Sequence, residues 1–166
     1  VYTEHARRHL ISEGLSHRFI YLVGSPMREV LEGKMKKIEN SDVLERLKLE
    51  KRKYFLVSFH REENVDSQEN LRTIINNIEA IHEHFGYQLI VSTHPRTRKR
   101  FSDVGVSIKN KNIKFLKPFG FLDYIHLQMN AFCTISDSGT ISEEAAILGF
   151  PAVILRKSTE RPEAID

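Results

Sequence analysis

The sequence has little of what marks a secreted, membrane-bound or disulfide-stabilised protein. Its 166 residues contain one cysteine, Cys133, so no internal disulfide is possible and a reduced cytoplasm is the expected compartment. No apolar run approaches the length that spans a bilayer, and the start VYTEHARRHL has no signal-peptide core. The Lys and Arg residues are scattered among 22 acidic residues, without a basic arm. We therefore expect no membrane and no nucleic acid as partner.

The motifs of several common active sites are absent as well. There is no G-x-G-x-x-G or P-loop pattern, so classical NAD and ATP sites are not indicated. His60, His94, Asp137 and Glu143 lack the H-x-x-x-H or H-E-x-x-H spacing that brings two metal ligands to one helix face. The turn at residues 137–139 lacks the G-x-S-x-G elbow of a serine hydrolase. We expect neither a metal nor a cofactor.

What is present suits one globular domain over residues 1–166. Hydrophobic residues make up 40% of the chain and charged residues 28%, which is enough for a core and argues against disorder. The formal net charge is +3, which is compatible with anionic small ligands. Because the chain starts without Met and stops at ERPEAID, we expect it to be a domain of something longer.

Hydrophobic patterning predicts about six strands that alternate with helices, which implies a Rossmann-like, doubly wound parallel sheet of the α/β class. Helices are predicted from Thr3 to Ser12, from Pro26, from an Asp66/Glu69 capping box to Gly86, from Phe121, and from Thr140 to Gly149. Residues 36–53 are interpreted as a surface excursion. The predicted strands are residues 19–23, 54–59, 89–93, 113–116, 132–136 and 152–155.

Four polar groups of residues fall directly after predicted strands. They are Ser25, the segment 60–64, the segment 94–96 and the segment 137–140. In an open α/β sheet the ligand crevice lies at the carboxyl ends of the strands. These four groups are therefore the candidate binding surface.

The stretch from Ala131 to Pro151 is the most informative part of the sequence. A short apolar strand runs into Asp137-Ser138-Gly139, and Thr140 and Glu143 have the spacing of a capping box at the start of a helix. Unpaired backbone N–H groups and the positive end of the helix dipole then favour an anion at the turn, and phosphate fits best. The alternative is an ordinary, well-capped helix.

Each further candidate has a binding and a structural interpretation. His60 and Arg61 offer a proton donor and a planar cation to a diphosphate, or form a solvated loop. His94 belongs either to the site or to a stiff turn. Glu144 either accepts hydrogen bonds from a ribose diol or compensates the helix dipole. Tyr124 either stacks on a nucleobase or belongs to the core.

Four blocks of sequence resemble the non-hydrolysing bacterial UDP-N-acetylglucosamine 2-epimerase family. The blocks are HREEN at 60–64, STHPRTRKR at 92–100, SDSGTISEEAAILGFP at 136–151 and TERPEAID at 159–166. The resemblance implies the C-terminal, nucleotide-binding half of a two-domain, glycosyltransferase-B-like enzyme that is a homodimer at full length. It also implies that the proton-transferring carboxylates lie in an N-terminal domain that this chain lacks, so that the fragment is inactive alone.

The family reaction eliminates UDP across C1 and C2 of a UDP-N-acetyl sugar and re-adds it with C2 inverted, without a redox cofactor. The resemblance implies that Ser138 and Gly139 hold the diphosphate, that Glu144 holds the ribose and that His60 contacts a phosphate oxygen near the leaving group. It places Tyr124 and the backbone of residues 118–121 at the uracil. The full set of implied site residues is His60, Arg61, Glu63, His94, Pro118, Phe119, Tyr124, Ser138, Gly139, Thr140, Glu143, Glu144 and Arg161.

The substrate and the reaction class stay open at this point. TEHAR at 3–7 and FLKPFGFLDY at 115–124 look more like the branch that makes UDP-N-acetyl-L-fucosamine for capsule or O-antigen, whereas residues 155–159 look more like the parent epimerases. A glycosyltransferase with the same nucleotide-binding half is the first alternative function. A UDP-sugar-binding module without catalysis is the second.

Overall fold

In the computed structural model, residues 1–59, 67–93, 97, 101 and 110–156 are described. Their strands are β1 (Tyr54–Ser58), β2 (Gln88–Ser92), β3 (Ile113–Leu116), β4 (Cys133–Ser136) and β5 (Ala152–Ile154). Their helices are α1 (Glu4–Ser12), α2 (Met27–Glu39), α3 (Val43–Leu47), α4 (Gln68–Phe85), α5 (Phe121–Asn130) and α6 (Ile141–Leu148), with a short 3-10 helix at His17–Phe19.

The five strands form one parallel sheet in the order β3-β2-β1-β4-β5. The chain runs from β1 through β2 to β3 at one edge, and then returns to place β4 on the other side of β1. This reversal is the topological switch of a doubly wound sheet, where ligands of such folds bind. The predicted α/β, Rossmann-like class is confirmed.

Strand β1 lies at the centre of the sheet and is buried on both faces, as its apolar run predicts. Phe55 and Val57 pack with α4 on one face, whereas Tyr54 and Leu56 pack with α3 and α5 on the other. A third cluster joins α2 to α5 and α6 beside the sheet. The helices therefore cover both faces around β1 and leave the carboxyl ends of the strands as the site-forming edge.

The predicted first strand at residues 19–23 is wrong. Residues 17–19 form a 3-10 turn, and the side chains of Phe19 and Val23 are 81% and 74% exposed. The backbone N–H of Val23 donates instead to the carbonyl of Val1. A β-favouring run becomes a strand only when a neighbour completes the ladder and one face is buried, and among the described residues this run pairs only with Val1 and buries neither face. The sheet that the described residues form consequently has five strands rather than six.

The interpretation of residues 36–53 as a surface excursion is also wrong. Helix α2 continues to Glu39, and α3 follows after a short turn. Ile38 and Val43 are fully buried, and the ring of His126 is hydrogen-bonded through Nδ1 to the carbonyl of Ile38 at 2.7 Å. The polar residues of this region are the outer face of amphipathic helices, whose few apolar positions reach the core.

The predicted helix ends are largely confirmed, but the cap of α4 differs. Ser67 is the N-cap residue, and its hydroxyl accepts a hydrogen bond from the N–H of Asn70 at 3.2 Å. Asp66, which the sequence pattern placed there, lies outside the described residues. Gly86 ends the helix in the left-handed region, with φ at +69°, as predicted. Within the described ranges, no helix is long and apolar enough to cross a membrane.

Candidate functional site

The candidate site lies where β1 and β4 end side by side. Ser58 and Ser136 are partners in the parallel register, and the N–H of Asp137 donates to the carbonyl of Ser58 at 3.2 Å. The turn that follows β4 is therefore anchored to the end of the central strand. This is the switch point at which the fold opens a ligand crevice.

The turn at residues 137–140 is built by its own hydroxyl groups. The N–H of Ser138 donates to the Ser136 hydroxyl at 3.1 Å, and the N–H of Thr140 donates to the Ser138 hydroxyl at 3.4 Å. These bonds hold the chain in a compact bend immediately before α6. The predicted strand, turn and helix succession is confirmed.

The predicted capping box of Thr140 and Glu143 is wrong. Thr140 is the N-cap residue, but its backbone is in the right-handed helical region and its side chain caps no backbone N–H. Its hydroxyl donates instead to Oε1 of Glu144 at 2.6 Å, because a residue four positions along the helix lies on the same face. The N–H groups of the first turn thus receive no cap from Thr140, which favours an anion there.

Glu144 is a buried carboxylate that accepts hydrogen bonds from two side chains. Only 8% of the residue is exposed, and its second oxygen accepts a hydrogen bond from Nε2 of Gln128 at 2.8 Å. Gln128 is 1% exposed, and its own carbonyl oxygen has no hydrogen-bond partner. Sequence analysis missed Gln128, although it lies four positions after Tyr124 and thus on the same face of α5.

Tyr124 reaches the switch point from α5. Its ring packs against the cluster that contains Leu56 and Leu127, as the core interpretation predicts. Burial raises the pKa of its phenol, and hydrogen bonding to the side chains of Ser58 and Ser136 opposes that rise. The phenol therefore lies near the carboxyl ends of β1 and β4. A stacking role on a nucleobase stays a prediction.

Arg156 lies over the turn and was also missed by sequence analysis. Its Nε donates to the carbonyl of Asp137 at 2.8 Å, and its Nη2 lies 3.2 Å from where a β-carbon on Gly139 would stand. The lack of a side chain at Gly139 thus allows the close approach of a guanidinium group, which is a cation beside the predicted anion site. Arg156 follows β5 by two residues, so the rule that polar groups gather after strands could have found it.

Of the remaining predicted site residues, three are described by the structure and five are not. Pro118 is exposed and Phe119 half-buried on the connection between β3 and α5, and Glu143 is half-buried in the first turn of α6. At the switch point itself, the contacts described above bring together seven residues: Tyr124, Gln128, Ser138, Gly139, Thr140, Glu144 and Arg156. The residues His60, Arg61, Glu63, His94 and Arg161 lie outside the described residues.

The chemical groups in the described part of the site are of the kinds that suit an anion and hydroxyl groups. Among the residues that the structure describes, no three His, Cys, Asp or Glu side chains come close enough to hold a metal ion. Cys133 is half-buried, and burial raises the pKa of its thiol, which disfavours the thiolate. The arrangement offers the first-turn N–H groups of α6, a guanidinium, hydroxyls and two buried carboxylates, Asp137 and Glu144.

The fold and the site define a doubly wound α/β domain with an anion-suited turn at its switch point. The family model described as UDP-N-acetylglucosamine 2-epimerase matches residues 1–166, and the chain belongs to this family. The UDP-N-acetylglucosamine 2-epimerase of Methanocaldococcus jannaschii is 37% identical over 99% of the chain, which corresponds to 46% of that relative. A homolog from Methanococcus maripaludis is 39% identical over 98% of the chain and 46% of its own length.

Solved structures agree with this assignment. The chain matches the enzyme from Rickettsia bellii with a TM-score of 0.86 and 43% identity, over 100% of this chain and 44% of that one. It matches the Methanocaldococcus jannaschii enzyme in complex with UDP-GlcNAc and UDP with a TM-score of 0.89 and 36% identity, over 98% and 46% of the two chains. The chain therefore spans about half the length of the relatives that it matches.

Proposed function

We propose that this chain is the UDP-binding half of a UDP-N-acetylhexosamine 2-epimerase. The observation that carries the proposal is the position of the Ser138 turn and the buried Glu144 carboxylate together at the β1/β4 switch point. A relative with the same fold is described in complex with UDP-GlcNAc and UDP, which supports a nucleotide-sugar ligand. The activity would then require the other half of the enzyme, which supplies the proton-transferring carboxylates.

We assign the diphosphate to the turn and the ribose to Glu144. Ser138, Gly139 and the first N–H groups of α6 face the diphosphate, and Arg156 adds positive charge from above the turn. The ribose hydroxyls donate to the Glu144 carboxylate, which accepts only. The uracil lies along Tyr124 and the backbone of residues 118–121.

In the proposed reaction a base removes the C2 proton while the bond between C1 and the UDP oxygen breaks. UDP then adds back to C1, and an acid returns a proton to the opposite face of C2. Negative charge grows on the diphosphate as UDP leaves, so donors aimed at it stabilise the transition state more than the bound substrate. That stabilisation is the share of catalysis that we assign to this half, with His60 as the contact nearest the leaving oxygen.

The wider setting is part of the same proposal. The enzyme would act in the cytoplasm as a homodimer and supply a precursor of a cell-surface polysaccharide. Two substrates stay predictions: a UDP-N-acetyl sugar with a hydroxyl at C6, and a 6-deoxy sugar of the capsule branch. No cofactor is required by the elimination, since no electrons are gained or lost overall.

Calorimetric titration of this chain with UDP tests the proposal. We expect weak, saturable, one-to-one binding, because half of a closed cleft offers half of the contacts and excludes less water. UDP-GlcNAc should compete with UDP, and uridine alone should bind more weakly because it lacks the diphosphate. If UDP binds no better than uridine to the folded chain, the assignment of the diphosphate to this turn is wrong.

A further inference from the structure

Three side chains at the site form a hydrogen-bonded chain whose proton positions can be assigned. Oγ of Ser138 lies 3.1 Å from Oγ1 of Thr140, and Oγ1 of Thr140 lies 2.6 Å from Oε1 of Glu144. A carboxylate only accepts hydrogen bonds, so Thr140 must donate its single hydroxyl proton to Glu144. Thr140 can then only accept from Ser138. The proton of Ser138 therefore points along the chain and not toward the turn.

This direction has a consequence for anion binding. In the ligand-free site the Ser138 hydroxyl presents lone pairs to the turn, and one of them already accepts from the N–H of Thr140 at 3.4 Å. Lone pairs repel a phosphate oxygen, which is itself an acceptor. Ser138 becomes a donor to a diphosphate only when its hydroxyl turns away from Thr140.

The far end of the chain is held in place by a separate contact. Nε2 of Gln128 donates to Oε2 of Glu144 at 2.8 Å, and both residues are buried. The carboxylate is thus kept where Oε1 meets Thr140, and it has little room to turn. A donor that arrives at Oε1 shares this oxygen with the Thr140 hydroxyl and weakens that hydrogen bond, while the carboxylate stays in place.

We propose that Thr140 is a positioning residue that couples recognition of the ribose to recognition of the diphosphate. The inference rests on the proposed function, in which a ribose hydroxyl donates to Glu144. When that hydroxyl binds, the hydrogen bond from Thr140 to Glu144 weakens and the Thr140 proton turns toward Ser138, which releases the Ser138 proton to the diphosphate. A ligand that carries both groups, a nucleoside diphosphate, gains the Ser138 hydrogen bond, whereas inorganic diphosphate does not.

The test compares inorganic diphosphate with UDP in variants of the two hydroxyl residues. Ser138→Ala should weaken UDP about 10-fold, since a hydrogen bond to a charged group is lost, but should not weaken inorganic diphosphate, which the Ser138 lone pairs oppose in the wild type. Thr140→Val keeps the side-chain shape but removes the acceptor of the Ser138 proton. In that variant inorganic diphosphate should bind several-fold more tightly, and this gain should vanish when Ser138→Ala is added.

Thr140→Ser is the matched control, because it restores the hydroxyl and should restore the wild-type difference between the two ligands. A purely structural role of Thr140 would change both ligands by the same factor, and that result overturns the coupling. So does an equal loss of both ligands in Ser138→Ala with Thr140 intact. If the folded wild-type chain binds no UDP at all, the proposed function itself is wrong, which is a different outcome from lost coupling. Urea unfolding of each variant verifies that the chain is folded.

Discussion

Ser58 and Ser136 stand opposite each other at the carboxyl ends of β1 and β4, and both side chains oppose the rise that burial causes in the pKa of the Tyr124 phenol. Three hydroxyl groups, those of Ser58, Ser136 and Tyr124, therefore lie together at the point where the strand order of the doubly wound sheet reverses. Asp137, which follows Ser136 directly, is fully buried and donates its N–H to the Ser58 carbonyl. The turn that we assign to the diphosphate is thus attached to the central, buried strand of the sheet, which suits a preorganised site.

Glu144→Ala should weaken UDP but not inorganic diphosphate, because only UDP carries ribose hydroxyls. It should also lower the free energy of unfolding by about 1–3 kcal/mol, since the buried Nε2 of Gln128 loses its acceptor. Calorimetry with both ligands and urea unfolding measure the two effects. Glu39→Ala, at an exposed position of α2, is the control. Equal weakening of both ligands would contradict the ribose assignment.

Gly139→Ala should lower the affinity for UDP several-fold, because the added methyl group would stand 3.2 Å from Nη2 of Arg156, so the guanidinium must shift by a few tenths of an ångström and its hydrogen bond to the Asp137 carbonyl weakens. In an Arg156→Ala background the same substitution should cost much less, since the group it meets is gone.

Two controls separate the causes of that effect. Gly33→Ala, in helix α2 where a β-carbon meets no atom within 4 Å, should be harmless or stabilise the fold by roughly 0.5–1 kcal/mol. Arg156→Lys keeps the charge but removes the bond from Nε, so it distinguishes the positioning of the turn from the electrostatic field. If Gly139→Ala costs the same with and without Arg156, the contact does not explain the glycine.

The stability of the chain should fall above pH 10 through Tyr54. Its hydroxyl donates to the carbonyl of Leu127 at 2.6 Å, and burial raises the pKa of the phenol above the ordinary value of 10.0. Above that pH the unfolded chain has lost the proton while the native chain keeps it, so the free energy of unfolding falls by up to about 1.4 kcal/mol per pH unit. Below pH 10 both states are protonated, and this contribution is fully present.

Urea unfolding at a series of pH values measures this dependence. Tyr54→Phe should flatten the fall between about pH 10 and pH 12, since the titrating group is removed, and should cost about 1 kcal/mol at neutral pH for the lost hydrogen bond. Tyr21→Phe, at an exposed position, is the control. Identical slopes in the wild type and in Tyr54→Phe would show that another group is responsible.

Binding of UDP should not depend on a divalent metal. Arg156 and the uncapped start of α6 supply positive charge and donors at the turn, which is the role that a metal would otherwise have. The affinity should be the same before and after treatment with EDTA. A large loss that manganese or magnesium restores would favour the alternative, a metal-dependent glycosyltransferase.

The chain alone should not epimerise a UDP-N-acetyl sugar, whereas the enzyme with both halves should, and solvent deuterium should then appear at C2 of the product. Inversion requires a base and an acid within about 3 Å of the C2 proton path, and we assign both to the other half. Mass spectrometry and NMR of the product in D₂O measure the exchange. Exchange catalysed by this chain alone would contradict the assignment, and turnover without exchange would contradict elimination.

His60→Ala in the complete enzyme should lower turnover by more than it weakens substrate binding. The proposed contact tightens as the diphosphate leaves, so it stabilises the transition state more than the bound substrate. Steady-state kinetics give kcat and KM separately. His17→Ala, at an exposed position of the 3-10 turn, is the control. A rise in KM with kcat unchanged would make His60 a binding residue only.

The sequence by itself determined the elements whose signals are local. The unbroken apolar run of β1 predicted a strand buried on both faces, Gly86 and Gly149 marked the ends of α4 and α6, and the small residues after β4 marked the turn. The alternation of strands and helices predicted the parallel, doubly wound class. Periodicity and turn chemistry suffice for these features because each depends on neighbours within a few positions of the chain.

Only the tertiary structure decided which of these patterns found a partner. The run at residues 19–23 has strand-forming side chains but no neighbouring strand in the part of the chain that is described, whereas Ile38 and Val43 lie in a polar region and are fully buried against other helices. At the site, the Arg156 guanidinium lies close to Gly139, although the two residues are 17 positions apart in the chain. Such pairings depend on how the layers pack in space, and no local pattern encodes that geometry.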